Sequence, residues 1–338
     1  MPGKIECYFD IASFYSYVAF IQILRNKELF EQHSIDIEIH PVLLGAINAG
    51  SGNKPPWTLP VKATYGRQDM QRAAKSVGLV DAAPPGDLME ASRTMLPLRA
   101  LLYIKSAYPR SAFLTTFHYL FHVFWTQRRT FNDAESLHAV LLEVPSTFSP
   151  SLSPISSSNP YHSYASSRSS SFSSSSRSSS FSSTSSNPFF PPSPPPTPPA
   201  PLFPPSSASL IVTLASSSTA LKAALKHNVE QALARGAFGA PWLWVSRSAR
   251  RRGSRSSSHS SSPSRGGGGG GGGGGWREWW GAREEGRGEE APEDDDGEPF
   301  FGSDRWHFVY EYLGLPYRGV QLLAPRDMGN GMGAGAKL

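Results

Sequence analysis

Apolar and polar positions change period along the chain, and those changes mark out its elements. Lys4–Phe9 (KIECYF) is a run of β-branched and aromatic residues that predicts a strand. Asp10–Ser13 (DIAS) predicts a turn ending in a helix N-cap. Tyr17, Phe20, Ile21, Leu24 and Leu29 then recur at helical spacing over Phe14–Phe30. Ile35–Val42 (IDIEIHPV) alternates apolar with polar, a second strand. Strand, helix, strand in this order favours a parallel pair joined by a crossover. Further helical spacing covers Asp69–Val77, Arg93–Ala107, Ser111–Thr126 and Asp133–Val144, while closely spaced prolines keep Asn53–Pro60 out of regular helix. Ser217–Arg235 predicts another helix stopped by Gly236. Pro241–Val245 and Pro299–Phe301 predict short aromatic strands, and Asp304–Leu313 a last helix.

Two tracts interrupt this alternation. Residues 145–209 contain 28 Ser and 15 Pro, and residues 246–298 include the glycine run Gly266–Gly275. Neither can bury the apolar surface that offsets ordering entropy, so both are expected to be disordered low-complexity insertions. The expected fold class is α/β: a thioredoxin-like fold over 1–42, 210–245 and 299–338, with an inserted all-helical domain over 43–144. The Ser/Pro-rich tract (145–209) and the Arg/Ser/Gly/Glu-rich tract (246–298) then loop out between elements. Such loops are tolerated because closure entropy grows by only about 0.6 kcal/mol per doubling of length.

Composition narrows the function classes. The chain carries 32 basic and 27 acidic side chains, a net charge of +5, with no basic stripe outside the tracts. Nucleic acid is therefore not the expected partner. No apolar run approaches the roughly 18 to 20 residues of a membrane span. Met1–Asp10 is similar to neither a secretory signal nor a transit peptide, so the expectation is a soluble intracellular protein. The single cysteine, Cys7, excludes an intramolecular disulfide, a CxxC redox pair and a cysteine-cluster metal site.

Three motifs can carry chemistry. Ser13-Phe14-Tyr15-Ser16 stands where the loop after the first strand meets a helix N-terminus, whose free N–H groups and dipole favour negative charge. A serine there can cap the helix, or donate a hydrogen bond to a thiolate brought by a ligand. GAFGAP at Gly236–Pro241 leads into a strand. It is either an ordinary turn or a cis-proline loop whose Ala240 exposes its backbone to an extended peptide. FGSDR at Phe301–Arg305 is either a capping pair or a site where Ser303 and Asp304 receive an α-amino acid end.

Together these motifs, with SGNKPPWTLPVK at Ser51–Lys62, resemble the kappa class of glutathione S-transferases within the DsbA-like thioredoxin group, which also holds 2-hydroxychromene-2-carboxylate isomerases. The resemblance implies a glutathione transferase with glutathione as co-substrate, no metal or other cofactor, and a homodimer. It implies that Ser13 is catalytic and hydrogen-bonds the glutathione sulfur, with Phe14 and Tyr15 beside it. Asn53 would contact glutathione, Lys62 its glycyl carboxylate, Ala240 and Pro241 its cysteinyl unit, and Ser303, Asp304 and Arg305 its γ-glutamyl end. Phe14 stands where the family usually has proline. The second partner would be a small electrophile.

Other readings compete. A glutathione-dependent cis/trans isomerase would use the same thiolate. Arg247–Arg265 is similar to arginine/serine-rich RNA-associating segments, which would make the chain a non-catalytic glutathione-binding module. His118 and His122 lie four apart, a spacing open to metal, but no acidic neighbour completes a set and helix packing is the expectation. Ala336-Lys337-Leu338 is similar to a peroxisomal address; mitochondrial and cytoplasmic placement are the alternatives.

Overall fold

Strand β1 (Gly3–Phe9) buries both of its faces, with Ile5, Cys7, Tyr8 and Phe9 fully covered, and so belongs at the centre of a sheet. The computed structural model describes residues 3–149, 200–247 and 297–325. After β1 come α1 (Phe14–Arg25), α2 (Lys27–Gln32) and β2 (Ile35–Pro41), which pairs with β1 in parallel, Ile5 opposite Ile37. The single helix expected over Phe14–Phe30 is two. Asn26 turns its Nδ2 back onto the Gln22 carbonyl at 2.9 Å, and this local bond ends α1 before α2 begins.

The helical block follows as α3 (Leu44–Ser51), α4 (Pro60–Ser76), α5 (Leu88–Ala91), α6 (Met95–Ala107), α7 (Arg110–Trp125) and α8 (Ala134–Glu143). A 3-10 turn, Pro56–Thr58, occupies the proline-rich loop. Helix α4 starts nine residues earlier than the Asp69 expected from spacing. Pro60 sits in its first turn, where a proline fits, and only Ala74 is buried, so no buried apolar residue marks its first half.

Beyond the Ser/Pro tract, α9 (Pro205–Ser217) and α10 (Thr219–Ala234) return the chain to the sheet. Residues 200–209, assigned above to the disordered tract, are a correction. Phe203, Ala208, Ile211, Val212 and Ala215 are buried, and α9 packs on α6 and α8. Apolar side chains spaced for one helix face overrule the Ser/Pro-rich composition of its first turn. The chain also leaves and re-enters at one place: Ser146 N–H donates to the Ala200 carbonyl at 2.8 Å, and Leu202 N–H to that of Val144 at 2.6 Å. Most of the tract, 150–199, lies outside the described residues, as do 248–296 and the C-terminal Ala336-Lys337-Leu338.

Strands β3 (Trp242–Arg247) and β4 (Gly297–Phe301) pair antiparallel, with Ser246 opposite Gly297, so both ends of the second tract's expected span are strand. The sheet order is β2-β1-β3-β4, with β3 antiparallel to β1. Helix α11 (Trp306–Leu313) and a small hairpin of β5 (Tyr317–Arg318) and β6 (Gln321–Leu322) complete the fold. Helix α11 begins two residues after the expected Asp304. Ser303 and Asp304 therefore form the turn ahead of it, reached through Gly302 at φ +98°. No single helix among the described residues is long and apolar enough to cross a membrane.

Candidate functional site

The β1–α1 turn, the loop before β3 and the turn before α11 meet through backbone bonds. Ser13 is the N-cap of α1: its backbone is extended, and its Oγ accepts from Ser16 N–H at 3.2 Å. The same hydroxyl donates to the carbonyl oxygen of Ala240 at 2.8 Å. The capping role and the reach to the proline loop are thus both realised by one side chain. The Ala240–Pro241 bond is cis. No hydrogen bond of the Ala240 N–H is found among the described residues. The Pro241 carbonyl accepts from Gly302 N–H at 3.1 Å, which brings the Gly302–Ser303 turn to the same place.

Gly239, one residue earlier, lies under the Phe301 ring. A Cβ there would stand 2.9 Å from that ring, so only glycine fits without displacing it. Phe238 and Phe301 remain partly exposed, with ring centroids 4.6 Å apart. Asn53, at the end of the α3–α4 loop's first turn, donates from Nδ2 to the Phe238 carbonyl at 2.7 Å and accepts from Lys54 N–H at 2.9 Å. The loop asparagine is thereby tied to the loop that carries the cis-proline.

Phe14 is buried at 4% exposure, its ring 5.2 Å from that of Trp125, so it offers a ligand its backbone rather than its side chain. Trp125 in turn donates from Nε1 to the Ile11 carbonyl at 2.8 Å. Tyr15 points the other way. Its hydroxyl donates to Asp69 Oδ2 at 2.5 Å, and Tyr65 donates to Asp69 Oδ1 at 3.2 Å. Burial pushes the Tyr15 phenol up from its ordinary value, and the Asp69 carboxylate adds to this, so it stays protonated. Asp304 lies close enough to act on Tyr15 in the same sense.

Ser303 is buried, whereas Asp304 and Arg305 are exposed, with Arg305 Nε 3.8 Å from Asp304 Oδ1. Lys62 is exposed in the first turn of α4, and none of the hydrogen bonds or ion pairs among the described residues ties it to the other site residues. Sequence reasoning missed Asp69 and Tyr65. Tyr65 lies ahead of the helix expected from Asp69, and nothing local points from either residue to Tyr15.

His118 is buried among Tyr17, Phe20 and Phe148, and burial lowers its imidazole to about 3, with His122 adding to the effect. This is the packing role expected. Among the described residues Glu6, Glu38 and His40 lie close enough to share an ion. Their carboxylates are already met by Lys4, Lys105 and Arg235, at 2.7 to 3.0 Å. Cys7 is fully buried on β1, and burial pushes its thiol far above the ordinary value.

Comparison with known proteins adds the following. Residues 4–146 match the DSBA-like thioredoxin domain. The chain is 32% identical over 104 residues to glutathione S-transferase kappa 1 of Caenorhabditis elegans, covering 30% of this chain and 45% of the relative. It is 32% identical over 71 residues to glutathione S-transferase kappa 1 of Homo sapiens, covering 21% and 30%. The matches thus span less than half the length of these curated relatives. Among solved structures, a 2-hydroxychromene-2-carboxylate isomerase aligns with TM-score 0.44 and 18% identity, over 71% of this chain and 84% of that one.

Proposed function

We propose that this chain, whose residues 4–146 match the DSBA-like thioredoxin domain, is a glutathione S-transferase of the kappa type. It takes glutathione and a small electrophile as its substrates and needs no metal or further cofactor. The observation that carries this reading is the Ser13 hydroxyl at the start of α1, hydrogen-bonded to the residue that precedes the cis-proline. A helix N-terminus, a serine proton and a strand-like backbone edge then converge on one point.

A free cysteine thiol titrates near about 8.5, so little of it is thiolate at neutral pH. Lowering it by about two units takes roughly 2.7 kcal/mol of preferential thiolate stabilisation. A charge-assisted hydrogen bond from Ser13 and the free N–H groups of the first turn are together of that size. Without ligand the serine proton is engaged by the Ala240 carbonyl. A cysteinyl unit laid beside Ala240 like an added strand offers its own N–H to that carbonyl. The serine proton is then free to turn to the sulfur. The thiol proton passes to solvent, the thiolate attacks the electrophilic carbon, a C–S bond forms from the sulfur electron pair, and the leaving group departs with the pair of the broken bond.

At the other end of the ligand, Asp304 faces the ammonium of the γ-glutamyl unit while Ser303 and Arg305 face its carboxylate. Lys62, exposed in the first turn of α4, serves the glycyl carboxylate. The same reading makes the protein a homodimer and the Ala336-Lys337-Leu338 ending a peroxisomal address. Sedimentation tests the first, and masking the terminus with a tag tests the second.

Millimolar glutathione should raise the melting temperature of the purified protein, and an aryl halide should be conjugated with release of halide. No thermal shift would remove glutathione from the proposal. A shift without conjugation, but with interconversion of a conjugated cis/trans pair, would move the assignment to the isomerase.

A further inference from the structure

Asp10 lies three residues before Ser13, fully buried, and its carboxylate gathers donors from three parts of the fold. Oδ1 accepts from Ala12 N–H at 3.0 Å and from Thr94 Oγ1 at 2.7 Å, and Oδ2 accepts from Leu44 N–H at 2.6 Å. Its backbone carbonyl accepts from Ser13 N–H at 3.0 Å. Ala12 belongs to the turn that presents Ser13. Leu44 opens α3, whose far end leads into the Asn53 loop, and Thr94 immediately precedes α6 of the helical block.

We propose that Asp10 is a positioning residue, whose carboxylate sets the Ser13 turn in register with both the Asn53 loop and the helical block. The inference rests on the glutathione reading only for its catalytic readout. A carboxylate suits the place because it is acceptor-only and three donors converge on it. An asparagine would turn an NH2 group toward at least one of them. Burial pushes the carboxyl up to about 6 in spite of the hydrogen bonds from Leu44, Ala12 and Thr94, so the charge is retained against a desolvation cost. No ion pair to Asp10 is found among the described residues, and its chain neighbours Phe9 and Ile11 are buried and apolar.

Thr94→Val removes one donor without touching a ligand-facing group. It should lower kcat several-fold while the glutathione KM stays within about twofold, and it should reduce the thiolate absorbance of bound glutathione. Thr94→Ser, which keeps the hydroxyl, should restore both. Independently of any ligand, amide exchange over residues 12–16 should quicken in Thr94→Val and return to the wild-type rate in Thr94→Ser. Asp10→Asn should show the same losses at tenfold or more; should it fail to fold, the threonine pair alone decides. Unchanged exchange and unchanged kcat in a folded Thr94→Val protein would overturn the proposal. Absence of a glutathione shift in the wild type would instead strike the reading beneath it, and the exchange rates would still support or refute the positioning role.

Discussion

Asn53 and Phe238, 185 residues apart in sequence, are joined by a hydrogen bond of 2.7 Å from the asparagine amide to the phenylalanine carbonyl. This bond ties the α3–α4 loop to the loop that carries the cis-proline. Both residues are exposed, and an exposed bond of this kind is worth about 0.5–1.5 kcal/mol. Asn53→Ala should therefore weaken glutathione binding by a factor of about 3 to 10, with about 0.5–1.5 kcal/mol lost in stability. Titration calorimetry beside a denaturant melt checks both. An unaltered dissociation constant would leave the asparagine as loop structure only.

Ser13→Ala separates capping from chemistry. Loss of the bond to Ser16 N–H should cost about 1 kcal/mol of stability, the usual penalty for an N-cap. Loss of the charge-assisted bond to the thiolate should raise the thiol pKa of bound glutathione and lower kcat about 10- to 100-fold. Near-normal turnover with glutathione still bound would eliminate the serine mechanism. Ser13→Thr, which keeps the hydroxyl, should recover the cap and part of the rate.

Acid titration should expose two buried groups that pull in opposite directions. Asp10 titrates near 6 in the fold because of burial, against an unfolded value near 3.8, so between these values the folded state holds more protons. Stability from this group therefore falls as pH climbs from about 4 to 6, by about 3 kcal/mol. His118 is lowered to about 3, first by burial and then by His122; its contribution is present above the ordinary imidazole value and is lost as pH falls toward 3. The two slopes oppose each other in the wild type. In His118→Leu the Asp10 slope should emerge, with a melting temperature that drops between pH 4 and 6 relative to wild type. A rise relative to wild type across that window would contradict this assignment.

The Ser/Pro tract should divide sharply into dispensable and indispensable parts. Residues on either side of 150–199 are already paired, Ser146 with Ala200 and Val144 with Leu202. A short Gly/Ser linker in place of 150–199 should keep the melting temperature within a few degrees and leave the glutathione response unchanged. Phe203→Ala, just past that boundary, should cost about 3–5 kcal/mol, because the ring is buried against Tyr108. A large loss on linker replacement would assign the tract a part in the fold.

Legibility followed the range of the interactions. Strands β1 and β2 were readable because alternation and β-branching are local properties, and so was Ser13, since an N-cap announces itself beside its helix. Helix α9 was hidden because its first turn is written in the same Ser/Pro composition as the tract before it; only Ile211, Val212 and Ala215 against α6 and α8 reveal it. The Asn26 break depends on one side-chain bond that periodicity does not register. Asp69 and Thr94 stand 54 and 84 residues from the partners they serve, Tyr15 and Asp10, and no spacing rule links them. Phe14 was legible as a departure from the kappa-class pattern that the sequence resembles. Its consequence, a ring packed on Trp125, needed the helical block in place.

Cys7, sealed within the sheet on β1 with its thiol held protonated, gives experiments on this protein an unusual silence. Thiol-selective mass tags applied to the folded chain should find nothing of its own to modify, so any signal is the sulfur of an added ligand. On global opening the same residue becomes a single-hit counter, one tag per unfolded molecule. One buried atom thus supplies two readouts, ligand chemistry while the chain is closed and unfolding once it opens.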